Sequence, residues 1–362
     1  MSLKFHPLKV RKIVEETPDA VSVHLEKPSE EFKYIPGQYL TLKIKIGGEE
    51  LRRAYSLCSD PGEDEDLVVT IKRMHDGRVS NFIPDHIKTG DTIEVYPPMG
   101  KFTVQPDPER THHYVLVGGG SGITPLMSII RSVLRLEPSS KVTLVYGNRN
   151  LESIIFREKL DWLEDQYGDR IRIIHSLDEP PADWMGIKGR MTSQILMPLF
   201  QGLLGSDKMS KTFHLCGPGP MMEEAKSALK FLGVDQKNIR QELFTVALPQ
   251  EQEPQPPGLR EPQPPELELK RDTYQVTVIL DGKERQITVP PDRSILDIAI
   301  QEGLDPPFAC QLGICTTCRA MCRSGAVEMD ESEGLTDEEI DDGYVLTCQS
   351  HPLSEGVIVE YR

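Results

Sequence analysis

The chain has 362 residues, of which 38% are hydrophobic and 27% are charged, and its formal net charge is −16. This length predicts two or three globular domains, and the negative charge argues against nucleic acid as a partner. No apolar run approaches the roughly 18 residues of a membrane span, and seven cysteines, an odd number, argue against a disulfide framework. We therefore expect a cytoplasmic protein that binds neither membrane nor nucleic acid.

Residues 1–106 alternate short apolar runs with turns. The opening stretch MSLKFHPLKVRKIVEETPDA alternates apolar and basic residues, which predicts an edge strand and not a signal peptide. Runs such as QYLTLKIKIGG and DLVVTIKRM follow, with one helix-like stretch, VSNFIPDHI. The pattern predicts a small antiparallel β-barrel domain.

From residue 107 to residue 248 the rhythm changes. Apolar strands such as YVLVGG, VTLVYG and TFHLCG alternate with longer helical segments. This βα alternation predicts an α/β domain with a parallel sheet and helices on both faces.

Residues 249–271 carry seven prolines among Gln and Glu, which predicts an extended linker. Residues 272–362 then predict a small α+β domain, with a hairpin turning at Asp281–Gly282 and a helix ending at Gly303. This last domain is the most acidic part of the chain: residues 271–362 hold 18 Asp and Glu against 7 Lys and Arg. The acidic surface is either a solvated face or a docking surface for a basic partner.

Three cysteines have the spacing C-x4-C-x2-C, and 29 residues separate the third from a fourth: Cys310, Cys315, Cys318 and Cys348. This is the plant-type spacing for a [2Fe–2S] cluster. A zinc site, the alternative, usually shows paired C-x2-C motifs, and this segment has one such pair. Cys322 is expected to be a spare buried thiol, with exchange for one of the four ligands as the alternative.

The stretch VLVGGGSGITP places a glycine loop between a predicted strand and a predicted helix. A Rossmann turn has a third glycine at the helix start, where this chain has Thr124 and Pro125. We expect Thr124 to cap the helix and Pro125 to occupy its first position, since proline lacks an N–H there. The N–H groups of Gly120, Ser121 and Gly122 would then face a phosphate.

CQLGICTTC and YVLTCQSHP are similar to plant-type ferredoxins, which have a β-grasp fold. Five other stretches resemble segments of ferredoxin–NADP reductases: RRAYSLCS, GRVSNFI, PPMGKF, GGGSGITP and HLCGPGPMM. In its whole length the chain resembles the reductase components of oxygenases, those of phenylacetyl-CoA epoxygenases in particular. The resemblance implies an FAD-binding barrel, an NAD(P)-binding α/β domain and a ferredoxin domain; FMN is the alternative flavin.

The resemblance also implies the site residues. Ser56, Cys216 and Glu242 would surround the hydride path as catalytic residues. The cofactors would contact the flavin residues Arg53, Ala54, Tyr55, Ser56, Ile71, Lys72, Gly77, Val79, Ser80, Asn81 and Phe244, and the nucleotide residues Gly119, Gly120, Ser121, Gly122, Thr124, Pro125, Arg149, Cys216, Gly217, Pro218 and Met221.

The pyridine nucleotide is expected to be NADPH and not NADH. Arg149 follows the second βα strand, where a guanidinium suits a 2′-phosphate and a carboxylate would suit the free ribose hydroxyls. Electrons would then pass from NADPH through FAD and the [2Fe–2S] cluster to an oxygenase component or another protein acceptor docked on the acidic ferredoxin domain. The alternatives are a stand-alone NAD(P)H:acceptor reductase and a non-catalytic redox sensor.

Overall fold

The computed structural model describes residues 4–28, 32–244, 273–332 and 334–361. They form two compact units, one on each side of residues 245–272. The predicted linker at 249–271 and the domain boundaries at either end of it lie outside the described residues. Within the described parts of the chain, none of the helices combines the length and the apolar character needed to cross a bilayer.

The first unit begins with an antiparallel β-barrel and one helix. Its elements are β1 (His6–Thr17), β2 (Ala20–Glu26), β3 (Tyr39–Ile46), β4 (Glu49–Ser56), β5 (Asp66–Lys72), α1 (Arg78–His86) and β6 (Thr92–Met99). The strand order is β4-β3-β6-β1-β2-β5. The barrel closes after β4, where Leu57 forms an isolated bridge with Val69 and the N–H of Cys58 donates to the carbonyl of Val68 at 2.9 Å.

The expectation that the first strand lies at an edge is wrong. Residues 6–9 of β1 pair with β6, and residues 10–17 pair with β2. Leu8 and Val10 point inward and are fully buried, while Lys9 between them faces solvent. Every strand of a small barrel has one inward and one outward face, so apolar–basic alternation cannot separate an edge strand from an interior one.

The first unit continues as an α/β domain. Its elements are β7 (His112–Gly119), α2 (Ile123–Leu136), β8 (Lys141–Asn148), α3 (Arg157–Tyr167), β9 (Ile171–Leu177), β10 (Ile187–Lys188), α4 (Ser193–Ser206), β11 (Ser210–Gly217), α5 (Gly219–Phe231) and β12 (Ile239–Leu243). The six strands are parallel, in the order β10-β9-β8-β7-β11-β12. Tyr114 and Leu116 of β7 pack on the side of α2 and α3, and Val115 and Val117 pack on the side of α4 and α5. The predicted parallel sheet with two covered faces is confirmed.

Helix α2 is fastened to the barrel by ion pairs to the loop that follows β4. Arg135 binds the buried carboxylate of Asp60 through two nitrogens, at 2.7 and 2.9 Å. Arg131 binds Asp64 in the same way, and Ser128 donates to the carbonyl of Ser59 at 2.6 Å. We call the contacts of these three α2 residues with residues 59–64 the α2 clamp. It lies on one face of the helix, because positions three and four apart share a face.

The start of α2 differs from the predicted cap. A 3₁₀ turn at Gly120–Gly122 leads directly into the helix at Ile123, so Thr124 and Pro125 occupy its second and third positions. The Thr124 hydroxyl donates to the carbonyl of Ser121 at 3.0 Å instead of accepting an N–H. Pro125 still lies in the first turn, where its missing N–H costs no intrahelical bond.

The second unit is a mixed β-sheet with two short helices. Its elements are β13 (Tyr274–Leu280), β14 (Lys283–Val289), α6 (Ile295–Gln301), β15 (Arg319–Ser324), β16 (Val327–Met329), α7 (Asp337–Asp341), β17 (Tyr344–Leu346), β18 (Ser350–Pro352) and β19 (Val357–Tyr361). The main sheet has the order β14-β13-β19-β15-β17, with β13 and β19 parallel. The predicted hairpin turns at Asp281 and Gly282, whose φ angles of 52° and 72° suit a tight turn.

We predict that Gly122→Ala lowers the free energy of unfolding of the first unit by about 1–3 kcal/mol. A Cβ at Gly122 would lie 2.0 Å from the carbonyl oxygen of Cys216, so the start of α2 would have to move away from β11. Urea unfolding followed by far-UV circular dichroism measures the change.

Gly202→Ala is the matched control, because nothing lies within 4 Å of its added Cβ on α4. In a helix that change should be neutral or stabilise by up to about 1 kcal/mol. Equal stability of Gly122→Ala and the parent protein would contradict the close contact.

Candidate functional site

The parallel sheet has a topological switch point between β7 and β11. The chain builds outward from β7 through β8 to β10, and then returns to the other side of β7 with β11. In open α/β sheets, ligands bind at the carboxyl ends of the strands where the order reverses. Gly118 and Gly119 end β7, and Cys216 and Gly217 end β11, with Cys216 opposite Gly118 in the register.

Small residues line this switch point because backbone segments meet there. A Cβ at Gly119 would lie 2.7 Å from Pro218 and 2.8 Å from the sulfur of Met221, and a Cβ at Gly217 would lie 2.9 Å from the N atom of Gly119. Gly122 packs directly on the backbone of Cys216. Gly122 therefore allows the close helix–strand packing that the third glycine provides in a Rossmann turn.

The loop at Gly120–Gly122 is held from both sides. The Tyr146 hydroxyl donates to the carbonyl of Gly120 at 2.9 Å. On the barrel side, Nζ of Lys72 lies 3.6 Å from the position that a Cβ on Gly120 would take. The end of β5, which carries Ile71 and Lys72, thus approaches the loop, and the loop lies before the amino terminus of α2, where an anion is favoured.

Arg149 follows β8, the strand beside β7, and its side chain is exposed. Arg157 begins α3 and is also exposed. Between them, Asn150 and Ser153 bind each other's backbone N–H groups at 3.1 Å and form a capping box. Two cations are therefore available near the carboxyl end of β8, while Ser153 is engaged in the loop itself.

One hydrogen bond joins the barrel to the end of the parallel sheet. Ser56, the last residue of β4, donates from Oγ to Oε2 of Glu242 on β12 at 3.1 Å. Glu242 lies opposite Cys216 in the β11–β12 register. The three predicted catalytic residues are thus brought together, although Ser56 and Glu242 are 186 residues apart.

Both acidic groups at this point are held in their neutral forms. Burial raises the pKa of Glu242 to about 8, against the weaker opposing effect of the Ser56 hydrogen bond. Burial, and then the neighbouring Glu242, raise the pKa of the Cys216 thiol well above its ordinary value. At neutral pH the arrangement holds a carboxyl proton and a thiol proton, with no net charge.

The predicted flavin residues of β4 differ in exposure. Arg53 is exposed, with Nη1 donating to the carbonyl of Arg52 at 2.7 Å, while Ala54 and Tyr55 are half-buried. Burial raises the pKa of the Tyr55 phenol, which therefore stays neutral. Phe244 is the last described residue after β12; it is half-buried and packs against the core on the α2 side of the sheet.

Helix α1 begins beside the barrel without a side-chain cap. Gly77 is its N-cap residue, and Val79 is buried. Ser80 accepts from the N–H of Met74 at 3.2 Å, and the Asn81 amide donates to the carbonyls of Met74 and Gly77 at 2.8 Å. Ser80 and Asn81 therefore shape the loop, and the backbone at the helix start remains available for an anion.

The four predicted cluster ligands lie in the second unit as two pairs. The thiols of Cys310 and Cys315 contact each other, and those of Cys318 and Cys348 do the same. In each pair the contact lowers the pKa of one thiol, Cys310 or Cys348, and raises that of the other. Over the described ranges, no three His, Cys, Asp or Glu side chains converge as the ligands of a single metal ion would.

The loop around these cysteines directs backbone N–H groups at sulfur. The N–H groups of Leu312 and Cys315 point to Sγ of Cys310 at 3.3 and 3.4 Å. Positive φ angles at Gln311, Gly313 and Thr316, of 58°, 75° and 53°, produce this wrapped conformation. Four thiols in two pairs, surrounded by donors that stabilise thiolate, fit a two-iron cluster better than a single zinc ion.

Cys322 lies on β15 and is half-buried, not buried as expected. Its thiol donates to the carbonyl of Ser324 at 3.4 Å. A short bulge between Cys322 and Ser324 brings that carbonyl within reach. Cys322 thus differs from the four paired thiols in both position and partner.

Sequence reasoning missed two residues of the site. Arg78 begins α1 and pairs with Glu49 at 2.8 Å, and the charge of Arg53 also acts on Glu49. Arg53 and Arg78 thus form a cationic group near the amino terminus of α1, which the R in GRVSN could have suggested. Tyr146 was also missed, because a tyrosine inside the buried strand VTLVYG gives no sign of a loop partner.

We predict that Glu242→Gln reduces the fall in stability that the protein shows as pH rises from about 4.5 to about 8. Folding holds the Glu242 proton up to about pH 8, whereas the unfolded chain releases it near 4.5, so the folded state binds an extra proton in this interval. The free energy of unfolding therefore falls as pH rises through it, and Gln removes roughly 1–2 kcal/mol of that fall. Thermal midpoints measured across this range test the change.

Glu152→Gln, at an exposed position, is the control and should follow the parent protein at every pH. If the thermal midpoints of the parent protein and of Glu242→Gln fell equally with rising pH, Glu242 would not be held as a neutral acid.

Three family models match the chain in succession. An oxidoreductase FAD-binding domain matches residues 6–104, an oxidoreductase NAD-binding domain matches 116–227, and a 2Fe-2S iron-sulfur cluster binding domain matches 278–353. Each match covers the part of the structure that carries the corresponding candidate site.

Relatives resemble the chain over its whole length. One component of the 1,2-phenylacetyl-CoA epoxidase of Escherichia coli is 38% identical, with 99% of this chain and 98% of that protein covered. The ferredoxin reductase component of 3-ketosteroid-9-alpha-monooxygenase from Rhodococcus rhodochrous is 35% identical, with 98% and 96% covered. The structure of phthalate dioxygenase reductase has the same fold, with a TM-score of 0.60 at 23% identity over 99% of this chain and 98% of that one. The chain therefore belongs to the family of oxygenase reductase components and is an NAD(P)H-dependent flavin and iron–sulfur oxidoreductase.

Proposed function

We propose that the chain takes a hydride from NADPH at the switch point and delivers single electrons to an oxygenase component that docks on its acidic ferredoxin domain. The observation that carries this proposal is the hydrogen bond between Ser56 and Glu242, beside Cys216. It joins the end of a barrel strand to the carboxyl end of the parallel sheet, where flavin and nicotinamide would have to meet.

When bound, FAD accepts two electrons as a hydride and the cluster accepts them singly, so the cofactors supply the redox chemistry. The residues of the chain orient and shield them. Ser56 and Glu242 hold a proton between barrel and sheet, and Cys216 presents a neutral thiol beside it.

Each cofactor has its own set of supporting residues. Arg53, Arg78 and the start of α1 suit the diphosphate of FAD, and Tyr55 and Phe244 offer rings to its flavin. Gly119, Gly217 and Met221 leave a narrow space for the nicotinamide, and the loop at Gly120–Gly122 suits the nucleotide pyrophosphate. Cys310, Cys315, Cys318 and Cys348 would hold the cluster as two pairs.

The preference for NADPH rests on charge. Arg149 and Arg157 are exposed near the carboxyl end of β8, where the ribose of the adenosine half would lie. A guanidinium binds a 2′-phosphate through two nitrogens, and this contact is lost with NADH.

The proposed acceptor is the oxygenase component of a phenylacetyl-CoA epoxidase. Support comes from the E. coli epoxidase component, whose similarity extends over 99% of this chain at 38% identity. None of the seven cysteines forms a disulfide, which suits the reducing cytoplasm where such a system would work. The proposed domains are 1–106, 107–248 and 272–362.

The docking surface is proposed to include α7. Glu339 is buried and paired with Arg319, so it stabilises the domain itself. The other acidic residues of this region are exposed around the partly exposed Ile340: Asp337, Glu338, Asp341 and Asp342. Leu335, immediately before α7, packs with Cys318 and Cys348, so the acidic group lies close to the proposed cluster.

Anaerobic titration with NADPH tests the function. We expect flavin and cluster absorbance to bleach in succession, since each accepts electrons from the group before it. Cys315→Ser should lose cluster absorbance and keep NADPH-dependent flavin bleaching, while Cys322→Ser, the matched control, should retain both. A flavin that NADPH fails to bleach would contradict the proposal, and bleaching without transfer to any oxygenase component would favour a stand-alone reductase.

Arg149→Ala extends the same assay to the choice of nucleotide. The KM for NADPH should rise about tenfold or more, because a bidentate contact to phosphate is lost, and the KM for NADH should hardly change. Arg172→Ala, at an exposed position on β9, is the control. Equal effects on both nucleotides would assign Arg149 no part in the preference.

A quadruple variant without the four exposed acids of α7 and its end should associate with the oxygenase component about ten times more slowly at low salt. Its substitutions are Asp337→Asn, Glu338→Gln, Asp341→Asn and Asp342→Asn. The rate of cluster reoxidation by the oxygenase component measures this association, and the difference should vanish as salt rises. Glu284→Gln with Glu302→Gln, two exposed acids elsewhere on this domain, should leave the rate unchanged. If the quadruple variant and the parent protein were reoxidised at the same rate, α7 would not be part of the docking surface.

A further inference from the structure

A second cleft lies at the opposite end of the parallel sheet from the switch point. It has a volume of about 320 Å³ and lies between residues 103–105, which leave the barrel, and the first residues of β7, β11 and β12. We call it the amino-end cleft. Thr212 lines it and lies five residues before Gly217, so strand geometry separates this end of β11 from the nucleotide end by roughly 16 Å.

His214 is the buried polar group of this cleft. Its side chain is 1% exposed, and neither ring nitrogen has a hydrogen-bond partner in the structure. Aromatic rings stand on two sides of the imidazole, with centroids 5.6 Å away for Phe102 and 6.2 Å away for Tyr114. Because a buried donor or acceptor without a partner destabilises a protein, a polar group from outside the protein is expected to bind His214.

The charge of the cleft is positive. The residues that line it include two arginines and two histidines and, among the described residues, no Asp or Glu. Arg110 is occupied, since its Nη1 contacts the carbonyl of Gln105, the Tyr114 hydroxyl and the buried carboxylate of Glu137 at 2.9 to 3.1 Å.

Two further side chains line the cleft, His112 and Arg240, and they differ in whether other residues already bind them. His112 is occupied, because its two nitrogens contact the hydroxyls of Ser210 and Thr212. Arg240 is exposed at the start of β12 and lines the cleft together with His214. Arg240 is therefore the cation, and His214 the neutral hydrogen-bonding group, that remain for a ligand.

We propose that the amino-end cleft binds a small organic anion, whose carboxylate or phosphate head meets Arg240 and His214 and whose apolar body lies against Val104 and the ring of Tyr114. A guanidinium and an imidazole N–H are both donors suited to an oxyanion. The cleft is too small for a dinucleotide but is large enough for a ligand the size of a substituted benzene ring. This site is separate from the proposed nucleotide site and does not depend on the proposed electron path.

Calorimetric titration of the oxidised holoprotein with sodium benzoate and with phenyl phosphate tests the proposal and distinguishes the two heads. We expect saturable binding of one of them, with a Kd of about 1 mM or below. Saturating NADP⁺ should leave this binding unchanged. Binding of neither probe, or displacement of the probe by NADP⁺, would overturn the proposal.

Two variants locate the site. Arg240→Gln, at an exposed position that should not affect folding, is expected to weaken binding about tenfold, and His214→Phe should do the same by removing both nitrogens. Arg190→Gln is the matched control, because that guanidinium is 89% exposed elsewhere on the domain. Unchanged affinity in Arg240→Gln would overturn the assignment.

Long-range ¹H–¹⁵N spectra of the nine histidines give a readout that is independent of affinity. The resonances missing in His214→Phe should be those that move when the probe is added to the parent protein. Shifts confined to other histidines, or no shift at all, would show that the cleft holds only water.

Discussion

The geometry of the first unit depends on the α2 clamp. Asp60 is fully buried, and a buried carboxylate without a partner is costly, so the bidentate contact from Arg135 fixes where the loop after β4 can lie. Gly62 allows this contact, because a Cβ there would lie 2.3 Å from the Arg135 guanidinium. The loop follows directly on Ser56, and α2 follows directly on the Gly120–Gly122 turn. One helix therefore sets the distance between the barrel residue that meets Glu242 and the loop proposed to hold the nucleotide.

At the other end of α2, the constraint is contact between backbones. Gly122 rests on Cys216, and Gly119 rests on Gly217, so β7, β11 and the helix start approach more closely than side chains would allow. Because the clamp and this contact lie at opposite ends of the same helix, a shift at either one would alter the other. The Ser56–Glu242 hydrogen bond, at 3.1 Å, depends on both.

Features that are determined by residues close together in the sequence could be predicted from the sequence. The C-x4-C-x2-C spacing and the Asp281–Gly282 turn reflect constraints that act within a few residues, and the βα alternation is a repeating pattern of such local segments. The cap at Thr124 was predicted wrongly because a 3₁₀ turn and an N-cap have similar sequence requirements, and the structure extends the turn into the helix. The edge position of β1 was predicted wrongly because a barrel gives interior strands the same alternation.

The contacts between residues far apart in the sequence could not be predicted from short sequence patterns. Ser56 and Glu242 meet across 186 residues, and Asp60 and Arg135 across 75, and nothing in either residue's neighbours specifies the other. The resemblance to known reductases supplied Ser56 and Glu242, since both lie in stretches that resemble those enzymes. It supplied neither the clamp nor Tyr146 nor the unpaired His214, since these depend on how distant segments of this particular chain pack together.

The two units differ in the charge state that their candidate sites favour. At the switch point, burial raises the pKa of Glu242 and of Cys216, which favours their neutral forms. Around the cysteine pairs, N–H groups are directed at sulfur, an arrangement that stabilises negative charge. A neutral acid suits a site that holds a proton, and directed N–H groups suit thiolate ligands, which carry negative charge. Because the two arrangements lie in different compact units, each is set by the packing of its own unit.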